Sequence, residues 1–199
     1  MVGLRELKKE RTGRRIAEEA LRLFAERGFE DVTMGEVARA AAVARGTLFA
    51  YYPTKEALVL DGIAGENLAA VVTDRPAGRT ALAALRAHHL AEAAGPIAAA
   101  DHEALLTRVR VIQASPVLRA AADSLRYRQR QALAAVLTAE HGPVAGPLMA
   151  AQIAASLAVL RESFFARLDA GTPADRAARA LAEDLELAFD LLEHGHRAV

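Results

Sequence analysis

The stretch Thr33-Met34-Gly35-Glu36-Val37-Ala38-Arg39-Ala40-Ala41-Ala42-Val43-Ala44-Arg45-Gly46-Thr47-Leu48-Phe49-Ala50-Tyr51-Tyr52 reads as two short helices across a tight turn. Thr33 and Glu36 have the spacing of a capping box, and Val32 stands where a hydrophobic staple would begin. That signal opens a helix running to about Ala41. A break near Ala42 and Val43 precedes a second helix, Arg45 to Tyr51, which ends ahead of Pro53. Val37, Ala38 and Ala41 form an apolar face on the first helix, and Val43, Leu48 and Tyr52 can pack beneath the second. Arg45, Gly46, Thr47, Ala50 and Tyr51 are left facing outward, an arrangement that suits a helix-turn-helix. Phe49 either touches a DNA backbone or packs against the preceding helix.

The outward residues have the chemistry of a groove reader. Arginine pairs bidentately with guanine O6 and N7, and a threonine methyl suits a thymine methyl. Gly46 lets the backbone approach closely. Tyr51 and Lys55 suit phosphate oxygens, which position a protein on DNA without reading sequence. Residues 1–15 carry Arg5, Lys8, Lys9, Arg11, Arg14 and Arg15 against only Glu6 and Glu10. This basic segment supplies further phosphate or minor-groove contacts and makes binding salt-dependent.

Working outward, Ile16, Ala20, Leu23 and Phe24 recur at helical spacing, in a helix from about Lys9 or Thr12 to Arg27. Gly28 is its expected left-handed terminus, with Phe29 folding back as in a Schellman ending. Thr54 caps a longer helix reaching about Thr73, and further helices are expected over 79–94, 98–114, 117–141, 147–169 and 173–194. The 199 residues are 53% hydrophobic, enough for a packed core, and strand-like alternation and fixed repeats are missing from the pattern. The 25 basic residues balance 25 acidic ones, which excludes a uniform polycation but not a binder with its basic residues on one surface. With no cysteine, disulfides, thiolate catalysis and Cys-ligated zinc are excluded. Gly142 to Leu160 is uncharged and near the length of a membrane span. Its prolines, glycines, Gln152, Ser156 and many alanines point instead to a buried or interface helix starting near Pro147. The expectation is a protein without a signal peptide or membrane partner, and a cytoplasmic one.

Three pieces of the chain together carry a resemblance. They are Ile16 through Phe29, Thr33 through Ala38, and Arg45 through Leu58, in order and at matching separations. Residues 12–60 closely resemble the DNA-binding domain of the TetR family of bacterial transcriptional regulators. The resemblance implies an all-α fold of about nine helices. In it, a three-helix head with a helix-turn-helix is followed by a larger helical ligand-binding and dimerisation domain. The expected boundary places the DNA-binding domain with its basic arm at 1–53 and the second domain at 54–199. The family usually represses transcription as a homodimer on a palindromic operator, and a small-molecule effector releases it. Positions matching Thr33, Arg45, Gly46, Thr47, Tyr51 and Lys55 commonly contact DNA, and Gly35 and Arg14 complete the candidate set. Two positions depart from the pattern: Ala44 stands where a capping Ser is frequent, a loss of about 1 kcal/mol. Ala42 stands where the turn frequently has Gly.

In the second domain, helices near 147–169 and 173–194 match in position the family's dimer-forming pair. Ile153, Leu157, Leu160, Phe164 and Leu168 form one stripe, and Leu181, Leu185, Ala188 and Leu192 another. Both fit either a dimer seam or packing within the subunit, and the dimer is expected. His88, Gln113, Tyr127, Gln152 and Ser156 are the candidate ligand contacts, polar groups on otherwise apolar helices. For any single one of them a solvated face or a locally satisfied core hydrogen bond is the commoner role. His88-His89 with His102, and His194 with His196, lack the one-face spacing of a metal site, so no metal or cofactor is expected. No nucleophile elbow, phosphate loop or zinc-helix motif is present, so no catalytic residue is assigned and the chain is not expected to be an enzyme. The alternative function is a small-molecule-binding or partner-controlled helical protein whose head is weak or idle on DNA.

Overall fold

A computed structural model describes residues 4–61 and 67–195. Among them the regular structure is helical throughout: α1 (Leu4–Arg27), α2 (Met34–Ala40), α3 (Arg45–Tyr51), α4 (Ala57–Leu60), α5 (Leu68–Thr73), α6 (Ala81–Glu92), α7 (His102–Ala114), α8 (Pro116–Asp169) and α9 (Ala174–His194). A π-helical turn, Ala93–Ile97, extends α6 through Pro96. Contacts divide the chain into two compact units, Met1–Gly65 with Thr107–Leu125, and Glu66–Leu106 with Arg126–Val199.

The first unit is built on α1. Ile16, Ala20 and Phe24 are buried along one stripe and meet Val32, Val37, Ala38, Leu48 and Leu58 in a single core. Val111, Ile112, Leu118 and Ala122, from the distant segment, close that core. The helix begins at Leu4 rather than near Lys9 or Thr12, because the charged run ahead of it consists of good helix formers. It ends as expected on Gly28, at φ 89. The Gly28 N–H donates to the Phe24 carbonyl at 2.9 Å, the bond of the simpler αL ending. Phe29 folds back onto Phe24 with ring centroids 5.1 Å apart.

The helix expected over 54–73 divides in two. Thr54 Oγ1 does accept from the Ala57 N–H at 3.2 Å. At Asp61, however, the backbone turns extended (ψ 130), and α5 starts afresh under an Asn67 cap. Gly62 and Gly65 dilute helix propensity at this point in the sequence, and residues 62–66 fall outside the described residues.

The second unit packs α6 against α9, and α8 contributes to its core from Arg126 onward. Leu85, Leu133, Leu137, Ile153, Phe164 and Phe189 are among its buried side chains. Arg86 on α6 bridges Glu186 and, at 2.8 Å, Asp190 on α9. The helical run of α8 breaks at Gly142 (φ 88, ψ 173), leaving arms over 116–141 and 143–169. The second arm therefore starts at Pro143 rather than near Pro147. A proline at the first helical position loses nothing, because that N–H has no partner within the helix.

The two apolar stripes expected at a dimer seam lie largely inside the subunit. Ile153, Leu160, Phe164, Leu168, Leu181 and Leu185 are all buried in the second unit's own core. A different face of the second arm stays open: Val144 is 70% exposed, Leu148 59% and Val159 63%. Gln152 and Ala155 complete that row and are also exposed. By length and composition α8 is apolar enough to cross a membrane, and little of its most apolar stretch is buried.

Candidate nucleic-acid interface

Local chemistry sets the two short helices. The Thr33 N–H donates to Glu36 Oε2 at 2.8 Å, and the Glu36 N–H donates to Thr33 Oγ1 at 3.3 Å, completing the capping box. Arg27 reaches the same carboxylate at 2.8 Å. Hydrogen bonds from the Thr33 backbone and hydroxyl, then from Arg27, hold the Glu36 carboxyl down at about 2. The turn then passes through Ala42 at φ 49, the one non-glycine residue with positive φ among those described. A left-handed alanine costs about 1 kcal/mol or more. Ala44 occupies the N-cap of α3 with extended backbone and no side-chain cap bond.

On α3, Leu48 is fully buried and Tyr52 nearly so, while Arg45, Gly46, Thr47, Phe49 and Ala50 are exposed. Phe49 is thus largely clear of the core, at 44% exposure. The Arg45 guanidinium lies over Gly35, where an added Cβ would meet its Cζ and Nε at 3.8 Å and Thr33 Oγ1 at 3.9 Å. Thr33, Gly35 and Arg45 are therefore brought together at the adjoining N-termini of α2 and α3. Nothing lies within 4 Å of the Cβ direction at Gly46. Tyr51 is half-buried, and Arg14 on α1 is exposed. Lys55 is half-buried too, with Nζ 3.2 Å from the Glu30 carbonyl oxygen and 4.3 Å from the Phe29 ring centroid.

Three supporting features were not read from the sequence. Gly13 sits beneath the recognition helix: a Cβ there would meet Tyr51 Cδ1 at 3.2 Å, and the Tyr52 hydroxyl donates to the Gly13 carbonyl at 3.2 Å. A glycine interrupting a charged helical run was the available signal. Buried Ser115 donates to Glu30 Oε1 at 2.5 Å and accepts from the Leu118 N–H at 3.2 Å. A serine directly before Pro116 marks a helix cap, but nothing in the sequence points to Glu30. Arg108 donates to the Asp61 carbonyl at 3.1 Å. Burial raises the Tyr52 hydroxyl pKa, Asp61 adding to the shift and Arg108 opposing it.

The candidate ligand contacts are dispersed. Gln113 is exposed and belongs to the first unit; Tyr127 and Gln152 are exposed in the second. Tyr127 carries the Arg130 guanidinium over its ring at 5.3 Å. His88 and Ser156 are half-buried. His89 is the more buried histidine, 6.2 Å from the Phe189 ring, and burial followed by the neighbouring His88 lowers its pKa to about 4. Among the described residues no group of three His, Asp or Glu side chains is placed to hold a metal ion, and His196 lies outside them.

Comparison with known proteins converges on this geometry. The sequence model for bacterial regulatory proteins of the tetR family matches residues 16–61. The HTH-type transcriptional regulator TcmR of Streptomyces glaucescens is 36% identical over 85 residues, 42% of this chain and 38% of TcmR. MftR of Mycobacterium tuberculosis, named for transcriptional regulation of mycofactocin biosynthesis, is 49% identical over 47 residues, 24% of either chain. The chain thus spans well under half the length of these curated relatives. Among solved structures, Thermus thermophilus FadR, a TetR-family transcriptional repressor in complex with lauroyl-CoA, is 31% identical. That match covers 92% of this chain and 94% of FadR, with a TM-score of 0.51. Salmonella enterica GusR shares the fold at 20% identity, covering 91% and 94%, with a TM-score of 0.54.

Proposed function

We infer that this chain, which belongs to the tetR family of bacterial regulatory proteins, is a sequence-specific DNA-binding transcriptional regulator. It works as a homodimer on a palindromic operator and is released by a small-molecule effector. The relatives that carry names are regulators, not enzymes. The observation that carries the reading is α3. Its inner side is buried on Leu48, and its outer side exposes Arg45, Gly46, Thr47, Phe49 and Ala50 for a major groove. Thr33, Gly35, Tyr51, Lys55 and Arg14 flank that surface as backbone contacts.

The DNA-binding part is residues 1–53, and ligand binding and dimerisation belong to 54–199. The open row Val144, Leu148, Gln152, Ala155 and Val159 favours a two-fold pairing of the second α8 arms. A contiguous apolar row on an otherwise charged chain is a binding surface, and a helix-on-helix seam covers it without a membrane. A cytoplasmic location follows from a DNA target. Release requires the effector to prefer a dimer whose recognition helices no longer sit about 34–36 Å apart, one helical turn of DNA. FadR's lauroyl-CoA makes acyl-CoA thioesters the first effector class to test.

The test is selection of random double-stranded DNA by the purified protein at moderate salt. An enriched palindrome with half-sites one helical turn apart is expected. Enrichment of nothing, by a folded dimer, would refute the regulator reading.

A further inference from the structure

Ser115 is the one buried serine or threonine among the described residues, and it lies at the α7–α8 junction, far in sequence from the head. Its hydroxyl donates to the Glu30 carboxylate at 2.5 Å, while its oxygen caps α8 by accepting from the Leu118 N–H. The backbone carbonyl of the same Glu30 accepts from Lys55 Nζ at 3.2 Å, and the Phe29 ring lies beneath that ammonium at 4.3 Å. All of these residues fall within the first compact unit.

We propose that Ser115 and Glu30 are positioning residues for DNA binding, the hydroxyl docking the Glu30 carboxylate so that Lys55 keeps its charge for a phosphate. The inference rests on the reading of Lys55 as a phosphate contact. A lysine ammonium has three donors. The Glu30 carbonyl uses one and the Phe29 ring accepts the charge on one side, which orients the group without neutralising it. The carboxylate on the same residue as that carbonyl is a competitor for the ammonium. Lys55 already contributes to lowering the Glu30 pKa, after the larger effects of the Ser115 hydroxyl and the Glu30 backbone. Without its serine partner the carboxylate is at liberty to pair with Lys55, and an operator phosphate would then have to displace it. Arg108 is also basic, but it is engaged with the Asp61 carbonyl and Tyr52. The junction between α7 and α8 thereby sets how much of one positive charge the head offers to DNA.

Phosphate contacts act alike on all sequences, so a mixed-sequence duplex is a sufficient probe. Binding would be followed by fluorescence anisotropy across a salt series for the full chain and its variants, each checked for folding by circular dichroism. Lys55→Ala and Ser115→Ala are each expected to weaken binding about tenfold. Each should also reduce the slope of log affinity against log salt by about 1. Adding Glu30→Gln to Ser115→Ala removes the competing charge and restores most of the affinity and the slope. Loss of the α8 cap alone would not be repaired by that second change. Ser115→Ala is expected to be silent in a Lys55→Ala background. If Ser115→Ala binds like wild type, or if Glu30→Gln fails to rescue it, the positioning role is wrong while Lys55 stands. If Lys55→Ala itself is harmless, the phosphate contact falls and this inference falls with it.

Discussion

Gly146 offers a test in which two physical effects predict opposite signs. It lies four residues past the break at Gly142, in the first turns of the second α8 arm, with ordinary helical backbone. A Cβ added there would fall on the Thr138 backbone nitrogen, 2.6 Å from Thr138 Cα and 2.7 Å from the Leu137 carbonyl carbon. Carbon atoms in contact sit about 3.5–4.0 Å apart, so the two arms would have to separate by about 1 Å. No rotamer change relieves such a clash, because the obstacle is backbone. Separation loosens Leu133, Leu137, Ala150 and Ile153, all buried where the arms meet the second core. Overpacking of this kind costs about 3 kcal/mol at the upper end of its usual range. Helix propensity works the other way, favouring Ala over Gly by about 1 kcal/mol. Gly146→Ala is therefore expected to destabilise by about 2 kcal/mol net, lowering Tm by about 4–8 °C in a chain of this length. Thermal unfolding at one fixed protein concentration measures it, so that any self-association contributes equally to both proteins. Gly95→Ala is the control, because nothing lies within 4 Å of its Cβ direction. A Gly146→Ala protein as stable as wild type would show that the arms do not approach this closely.

Four further outcomes are expected. Arg45→Ala should relax preference at one base pair by about 1–3 kcal/mol, read by titrating the selected site and its point variants. Leu148→Glu combined with Val159→Glu places charge on the open face of α8 and should give monomers in analytical ultracentrifugation without unfolding the subunit. Glu36 titrates from an ordinary value of 4.5 unfolded to about 2 folded, so its contribution is complete above pH 4.5 and is lost as pH falls through about 2. Glu36→Gln should accordingly flatten the acid limb of stability against pH within that window. Ala44→Ser supplies the missing cap of α3 and should raise stability by about 1 kcal/mol in urea unfolding.

What could be read from the sequence was what depends on neighbours a few residues apart. The Thr33–Glu36 box, the left-handed Gly28 and the buried side of α3 are all local devices, and each is present. The Ser115–Glu30 bond spans 85 positions, and no local pattern encodes it. Periodicity also failed to choose a face on α8. Its second arm is apolar around most of its circumference, so the row through Ile153, Leu160 and Phe164 looked as available for a partner as the row through Val144, Leu148 and Val159. Only burial by α9 and the first arm separates them. Polar residues on apolar helices were a weak guide to a ligand site for the same reason. Gln113, Tyr127 and Gln152 lie on exposed faces, while His89, next to His88, is the buried one.

The local energetics of the turn bear on how the head is stabilised. Ala42 is held at a positive φ that favours glycine, and Ala44 leaves α3 uncapped. Together they withhold about 2 kcal/mol from a unit whose two short helices have seven residues each, too few to persist on propensity alone. The stabilisation that holds α2 and α3 in place must then come from burial. Part of that burial is supplied from outside the sequence of the head, by Val111, Ile112, Leu118 and Ala122, with Arg108 tying down the Asp61 carbonyl and Ser115 the Glu30 carboxylate. A head with a well-capped, glycine-relaxed turn would need less of this support. The weak turn makes the geometry of α3 depend on residues 107–125, the later segment that packs into the first unit's own core.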